Sequence, residues 1–416
     1  MKKNTRKCTV LAAVMSLCML FTGCNNSGSS SSSTTSATES GTASQATSAT
    51  ESSAASDTSS VVSTADSTAA GTDSTASDTT SGSEVTASDG FKVDGAKLLD
   101  AKGNEFILRG INHAHAWYKD QLETAIPAIA ATGANCVRIV CSNGNVWTKT
   151  EQSEIEQMIK LCEDNKLVCI LEVHDATTGT NENGKQATDD VSDLQKCADY
   201  WIEMKDVVNA HTDTVIVNIA NEWHNAGWAK PDEWAKGYET VIPQMREAGI
   251  KNTIMVDADG GGQYTKCLYG DEEKGTPGYA TEILAADPDK NTMFSIHMYE
   301  FDASTEQDVK TVIDNTIGTG VCFCIGEFAN TRSAKKDNVA DEAITAYCTE
   351  KNIGYIAWSW KGNTPEKISS KETLPFSVMD ISEEWDGSKL SEAWGEKIIN
   401  GENGIKQTSK ICTVFE

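Results

Sequence analysis

The sequence predicts an α/β chain: a (β/α)8 TIM barrel with a short N-terminal β-hairpin, preceded by a disordered Ser/Thr-rich linker. Three observations carry the prediction. Eight apolar runs of strand length follow Gly90: Phe106–Ile111, Asn135–Cys141, Leu167–Val173, Val215–Ala220, Thr253–Asp257, Met293–Met298, Val321–Gly326 and Tyr355–Trp360. Helical segments separate them, clearest at Thr124–Ala131, Glu151–Asn165, Asp193–Val208, Asp232–Glu247 and Val339–Lys351, with Glu392–Ile399 after the last run. Functional polar residues end most of the runs. Strands alternating with helices give parallel β/α units, and eight is the number that closes a barrel. The runs are nearly continuous in apolar residues, as expected when both faces of a sheet are covered. Phe91 to Lys102 reads as the hairpin, with turn signals at Asp94-Gly95 and Gly103-Asn104. A doubly wound open sheet is the alternative, but no GxGxxG follows the first run, and Gly260–Gln263 lies after the fifth.

The chain divides into three parts. Residues 1–24 read as a lipoprotein signal peptide: Lys2, Lys3, Arg6 and Lys7 precede an apolar stretch, Thr9 to Thr22, that is short for a membrane span. It ends in Phe21-Thr22-Gly23-Cys24, which resembles a bacterial lipobox, so Cys24 is the expected lipidation site and the protein is expected at the cell surface. A plain secretory signal with a chance cysteine is the alternative. Residues 25–89 are almost all Ser, Thr, Ala, Gly and Asp, too poor in apolar surface to offset the entropy of ordering. A flexible coil of roughly 65 residues has a mean span of about 45 Å, enough to tether a folded domain and let it search. Residues 90–416 form the expected catalytic barrel, taken as a monomer.

Of 416 residues, 61 are acidic and 35 basic, for a net charge of -26. That balance argues against nucleic acid as a partner and suits a neutral substrate; it serves solubility equally well. Thirteen cysteines are present, three of them in the leader. None shows CxxC spacing, and most of the rest lie in strand-like runs, so they read as buried thiols. Cys322 and Cys324 alternate with Val321, Phe323 and Ile325, which assigns both a direction away from the barrel axis. No metal-ligand cluster stands out, and cofactor-free chemistry is expected; a structural ion remains open.

Catalytic groups in such barrels sit at the C-terminal ends of the strands. The second run offers Arg138. The third ends in Glu172-Val173-His174-Asp175, the fourth in Asn221-Glu222-Trp223, the sixth in His297-Met298-Tyr299-Glu300, and the seventh in Gly326-Glu327-Phe328. The eighth gives Trp358-Ser359-Trp360-Lys361. One such ending reads as a structural charge or a helix cap. Six at one end of a barrel are hard to explain that way, because charges are costly to bury without purpose. Glu222 and Glu327 face each other across the ring, as glycosidic cleavage requires: one carboxyl donates a proton and the other attacks or activates water. Arg138 and Tyr299 are placed to hold Glu327 anionic, and Asn221 to bond a sugar hydroxyl. The ten tryptophans supply flat faces for sugar rings, although Trp358 is also plausible as core packing.

The strings LRGINHAHAWYKD (108–120), VRIVCSNG (137–144), LEVHDAT (171–177), VIVNIANEW (215–223), NTMFSIHMYE (291–300), IGEF (325–328) and AWSWKGN (357–363) occur in barrel order. Together they resemble glycoside hydrolase family 5 of clan A, and within it the bacterial β-mannanases of subfamily 8. The resemblance implies retaining endo-hydrolysis of β-1,4-mannosidic bonds in mannan, glucomannan or galactomannan, with Glu222 as acid/base and Glu327 as nucleophile. It implies that Arg138, His174, Asn221, His297, Tyr299 and Trp358 line the reaction subsite. His113, His115, Trp117, Trp223 and Trp360 follow as further substrate contacts, with a structural role for the histidines equally open. A β-1,4-glucanase of the same family, or a non-catalytic polysaccharide-binding lipoprotein, are the competing readings. Three departures from the family pattern stand out: Asp259–Tyr264 lacks a usual aromatic, Ala114 replaces a usual glycine, and the loop Asn363–Pro375 is longer.

Overall fold

Eight strands close into a parallel barrel in the order of the chain. They are β3 (Arg109–His113), β4 (Cys136–Cys141), β5 (Val168–Val173), β6 (Val215–Asn218), β7 (Ile254–Asp257), β8 (Thr292–Met298), β9 (Phe323–Phe328) and β10 (Gly354–Ala357). β10 pairs with both β9 and β3, which completes the ring. The expected hairpin is β1 (Lys92–Asp94) and β2 (Lys97–Leu99), antiparallel and outside the barrel sheet. These features come from a computed structural model, which describes residues 89–177, 187–225, 229–331, 339–363, 367–369, 372–373 and 377–416. The expected signal peptide with Cys24, and the linker as far as residue 88, lie outside the described residues.

Helices fill the outer layer: α1 (Leu122–Ala131), α2 (Gln152–Asp164), α3 (Val191–Glu203), α4 (Lys205–Asn209), α5 (Pro231–Glu247), α6 (Lys266–Tyr269), α7 (Ala280–Ala286), α8 (Glu306–Gly318), α9 (Asp341–Lys351), α10 (Gly395–Asn400) and α11 (Ile405–Thr408). The single helix read across 193–208 breaks at Met204 into α3 and α4. Helix α8 adds to the helices expected from the sequence, and its start is signalled locally. Thr305 accepts from the Asp308 N–H while the Asp308 carboxylate accepts from the Thr305 N–H, a reciprocal cap.

Two apolar clusters divide the protein. The larger lies between the strands' outer faces and the helices, built on Ile111, Val137, Ile139, Leu171, Val217, Phe294, Trp201, Trp234 and their neighbours. The smaller fills the lower barrel: Cys136, Val168, Ile170, Ile216, Met255, Met293, Cys324 and Ile356, closed from below by Phe91, Val93, Leu98, Phe106 and Leu108. The hairpin region is therefore a plug. Asn291, just ahead of β8, fastens it by accepting from the Val93 N–H at 2.9 Å and donating to the Phe91 carbonyl at 3.0 Å. Period-two alternation then carries each strand from an apolar residue low in the barrel to a polar one above it. Cys136 leads to Arg138, Ile170 to Glu172, Ile216 to Asn218, Met255 to Asp257 and Met293 to Ser295 and His297.

Strand β9 departs from this alternation, and the departure corrects one expectation. Cys322 and Cys324 belong to the interior cluster rather than facing away from the axis. The cause is a bulge. Ile296 pairs with Ile325, but the next residue of β8, His297, pairs with Glu327, so Gly326 is inserted without a partner. Cys324 and Glu327 both point inward although three residues separate them. The bulge needs glycine for space: a Cβ on Gly326 would lie 2.0 Å from Ser295 Oγ. Gly326→Ala should cost about 1–3 kcal/mol by overpacking, read as a lowered Tm. It should cost relatively more in turnover, because Glu327 is the next residue. A wild-type Tm and wild-type turnover would show that the bulge tolerates a side chain.

Candidate active site

The upper barrel holds a connected set of buried charges centred on Arg138. Its Nη1 donates to Glu327 Oε1 at 2.9 Å and to Asn112 Oδ1 at 3.0 Å. Its Nη2 donates to Asn221 Oδ1 at 2.6 Å and to Asp257 Oδ2 at 3.2 Å, and its Nε to Asn218 Oδ1 at 2.9 Å. Glu172 adds a third carboxylate at 3.9 Å. Burial alone would lower the proton affinity of this guanidinium, but Asp257, Glu172 and Glu327 raise it further, so it stays charged.

Glu327 is buried with donors on both oxygens: Arg138 on Oε1 and the Tyr299 hydroxyl on Oε2 at 3.1 Å. Burial pushes its carboxyl up and is the largest influence; His297 and Arg138 pull it down, and Glu222 pushes it up again. On balance burial wins and the carboxyl is raised; the two donors act against it, because an arginine can only donate and a proton on Glu327 would compete with it.

Glu222 differs. Its side chain is 17 % exposed, and its Oε1 meets His297 Nδ1 at 2.9 Å. Its backbone adopts φ +45°, in the left-handed region that is strained for a side chain with a Cβ. The Glu222 N–H donating to Asp257 Oδ2 at 3.1 Å holds it there. His297 sits between the two glutamates, with Nδ1 also 3.6 Å from Glu327 Oε2 and Nε2 3.4 Å from Asp257 Oδ2. Burial opposes its charge, yet Glu327, Asp257 and Glu222 together raise it to about 9, so it is an imidazolium at neutral pH. Oxygen and nitrogen atoms of Glu222, His297 and Glu327 lie within 4.8 Å of one another, and no other such trio of His, Cys, Asp or Glu occurs among the described residues. A cation able to take these atoms would compete with the hydrogen bonds already described.

His174 borders the site. Its Nδ1 meets Glu172 Oε1 at 2.9 Å and its Nε2 lies 3.5 Å from Asn221 Nδ2. Burial pulls its proton affinity down, but Glu172, Glu327 and Glu222 raise it on balance. Trp117 and Trp147 meet its ring edge-on and tilted at 5.0 and 5.6 Å, and Trp358 stacks at 6.1 Å. Trp358 is fixed by its indole N–H donating to Asn363 Oδ1 at 2.9 Å. The Asn221 amide also donates to Thr177 Oγ1 at 2.7 Å.

Four residues expected at the substrate stand elsewhere. Trp223 turns into the helix layer, edge-on to Tyr238 at 5.5 Å and over Gly237, where a Cβ would meet the ring at 2.3 Å. Trp360 is wholly buried, its indole donating to the Trp385 carbonyl. His113 follows the inward Asn112 and so points outward. Burial holds it at about 3, with His115 adding to the effect. His115 is buried and held at about 4 by that burial, which the neighbouring Glu154 at 3.4 Å only partly offsets. Both are neutral at neutral pH. In their place stand residues the reading missed: Asn112, Asn218, Asp257, Thr177 and Trp147. For the first three the signal was present, a polar residue at an inward position inside an apolar strand. For Trp147 there was none, because only the folded loop brings its ring to His174.

A parallel barrel whose C-terminal mouth pairs a clamped carboxylate with a more open one defines a glycosidase-type site. A family model described as Cellulase (glycosyl hydrolase family 5) matches residues 99–364, and the chain belongs to that family. It is 45 % identical over 326 residues to a mannan endo-1,4-beta-mannosidase of Salipaludibacillus agaradhaerens, covering 78 % of this chain and 96 % of that protein. It is 36 % identical to the mannan endo-1,4-beta-mannosidase of Streptomyces lividans, covering 78 % of each. The β-mannanase of Thermomonospora fusca, solved with mannohexaose, superposes with a TM-score of 0.66 at 35 % identity, covering 79 % of this chain and 99 % of that one.

The raised His297 has a consequence for stability. Its folded value, about 9, lies above the ordinary 6.5. The stabilisation it contributes is complete below 6.5 and is lost as pH rises through about 9. The Tm gap between wild type and His297→Gln should therefore shrink across that range. A gap unchanged from pH 6 to pH 10 would mean that the imidazole is neutral throughout.

Proposed function

We propose that this protein is a retaining endo-β-1,4-mannanase that cuts internal linkages of mannan, glucomannan or galactomannan. The observation that carries the proposal is the approach of Glu222 and Glu327, with carboxylate oxygens within 4.8 Å. Retaining glycosidases hold their carboxyls about 5–5.5 Å apart, whereas inverting ones leave about 6.5–9.5 Å for a water. The mannan substrate class rests on the similarity to mannan endo-1,4-beta-mannosidases.

The chemistry follows from the two environments. Glu327 Oε attacks the anomeric carbon as Glu222 gives its proton to the departing glycosidic oxygen, and a covalent glycosyl-enzyme forms. Arg138 and the Tyr299 hydroxyl orient the attacking carboxylate. Water then enters, Glu222 takes its proton, and the hydroxide displaces Glu327, which restores the β configuration. The His297 imidazolium donates to Glu222 whenever that carboxyl is ionised, so it steadies the state between the two half-reactions. His174, Trp117, Trp147 and Trp358 form a polar and aromatic wall suited to a sugar ring.

The protein is further proposed to be exported, held at the cell surface through a lipid on Cys24, and active as a monomer. The supporting features are the basic and apolar leader and the Ser/Thr-rich stretch after it.

Glu327→Ala should abolish turnover of every substrate. Glu222→Ala should lose on the order of 10²–10⁴-fold on polymers and far less on aryl mannosides with good leaving groups. Equal losses on both substrate types would overturn the assigned roles. Product NMR should show the β anomer first. Reducing-sugar release should favour glucomannan and galactomannan over carboxymethylcellulose; hydrolysis of the cellulose alone would replace the mannanase reading with a glucanase. Cys24→Ala should move the protein from the membrane fraction to the medium, and an unchanged distribution would remove the anchor.

A further inference from the structure

Beyond Glu222 the chain makes a second left-handed step at His224, φ +73°, and this residue belongs to nothing in the mechanism above. His224 and Asp259 are both completely buried, with Nδ1 and Oδ1 2.8 Å apart. The pair joins two loops. The His224 carbonyl accepts the Gly260 N–H at 3.2 Å, and Asp259 Oδ1 accepts the same N–H at 2.7 Å. Three residues along, the second loop reaches His297. The Gly262 carbonyl accepts the His297 N–H at 2.8 Å, and a Cβ on Gly262, at φ +74°, would lie 2.4 Å from His297 Cγ. His297 Nδ1 in turn meets Glu222 Oε1 at 2.9 Å. A closed circuit results: Glu222, His224, Asp259, Gly262, His297 and back to Glu222.

We propose that the buried His224–Asp259 pair is a positioning device for the acid/base Glu222, fixing the loop that carries it against the loop that carries the His297 contact. This rests on the assignment of Glu222 as acid/base. The physical need is specific. Glu222 is held in a strained backbone conformation and is partly open to solvent, so its own packing does little to fix it. One route pins it from inside, through its N–H to Asp257. The His224–Asp259 contact pins the same segment two residues later. It also explains why Asp259 is buried beside three glycines with positive φ: the turn at Gly260, Gly261 and Gly262 brings the backbone flush against His297. Neither His224 nor Asp259 meets the reacting atoms, so both are positioning residues.

The test compares two substrates. Asp259→Asn and His224→Gln are assayed on mannan, where the departing sugar needs protonation, and on a 2,4-dinitrophenyl β-mannobioside, where it does not. Displacing a catalytic group by about an ångström costs on the order of a hundredfold. Each variant should therefore lose tenfold to a hundredfold in kcat/KM on mannan, and less than about threefold on the activated substrate. Wild-type turnover of mannan in the same assay tests the functional reading separately; only the ratio between substrates tests the pair. Thermal unfolding confirms that the variants are folded. Equal losses on both substrates, no loss on either, or failure of both variants to fold would overturn the proposal and leave the pair a structural one.

Discussion

The Arg138 guanidinium lies with no solvent exposure inside the barrel mouth, and every one of its nitrogens donates to a neighbour. Three of its contacts are buried carboxylates: Glu172, Asp257 and Glu327. Removing a partner from such a set leaves uncompensated buried charge, typically a loss of 3–5 kcal/mol, so the groups stand or fall together. Their placement explains much of the rest. Asn112, Asn218 and Asn221 accept from Arg138 and bond the strands or loops around it. Asp257 holds the Glu222 N–H and faces His297. Glu172 holds His174, whose ring carries the aromatic wall. The charge at the centre thus reaches strands β3 to β9 through hydrogen bonds.

The two glutamates acquire different roles from what surrounds them. Glu327 sits on a strand, buried, with donors on both oxygens, which suits a carboxylate that must stay ionised and aimed. Glu222 sits past a strand end, more exposed, and shares one oxygen with His297, which suits a group that gives up and regains a proton. The same imidazolium touches both, so their ionisation is linked rather than independent. The lower barrel contributes rigidity: an apolar layer closed by the N-terminal hairpin excludes water from beneath the charges and keeps their attraction strong.

Some of this was legible from residue order. The eight runs are nearly continuous in apolar residues, and six end in chemistry-bearing residues, so the barrel and its active end follow. Glu222, Glu327, Arg138, His174, Asn221, His297, Tyr299 and Trp358 are brought together in one cluster, with Trp117 at its edge. His113 and Trp223 stand next to Asn112 and Glu222, and in strands and strand ends adjacent side chains point to opposite sides. Trp360 lies past the end of β10 at Ala357, where strand alternation no longer links it to Trp358, and its indole turns to the Trp385 carbonyl. Cys322 and Cys324 face inward rather than outward because the residue inserted at Gly326 lets Cys324 and Glu327 share the interior face, and alternation along the run does not show an insertion.

The sequence by itself therefore determined the number and order of the β/α units, the end of the barrel that carries function, and the acidic pair. Those are properties of local pattern, set by apolar periodicity and residue type along one strand at a time. Only the tertiary structure decided which face each residue presents at the bulge, how near the two carboxyls come, and which donors each one faces. It alone revealed the link from His224 through Asp259 to His297. These depend on register between strands and on turns with positive φ, and contacts between residues tens of positions apart leave no periodic trace in a single chain.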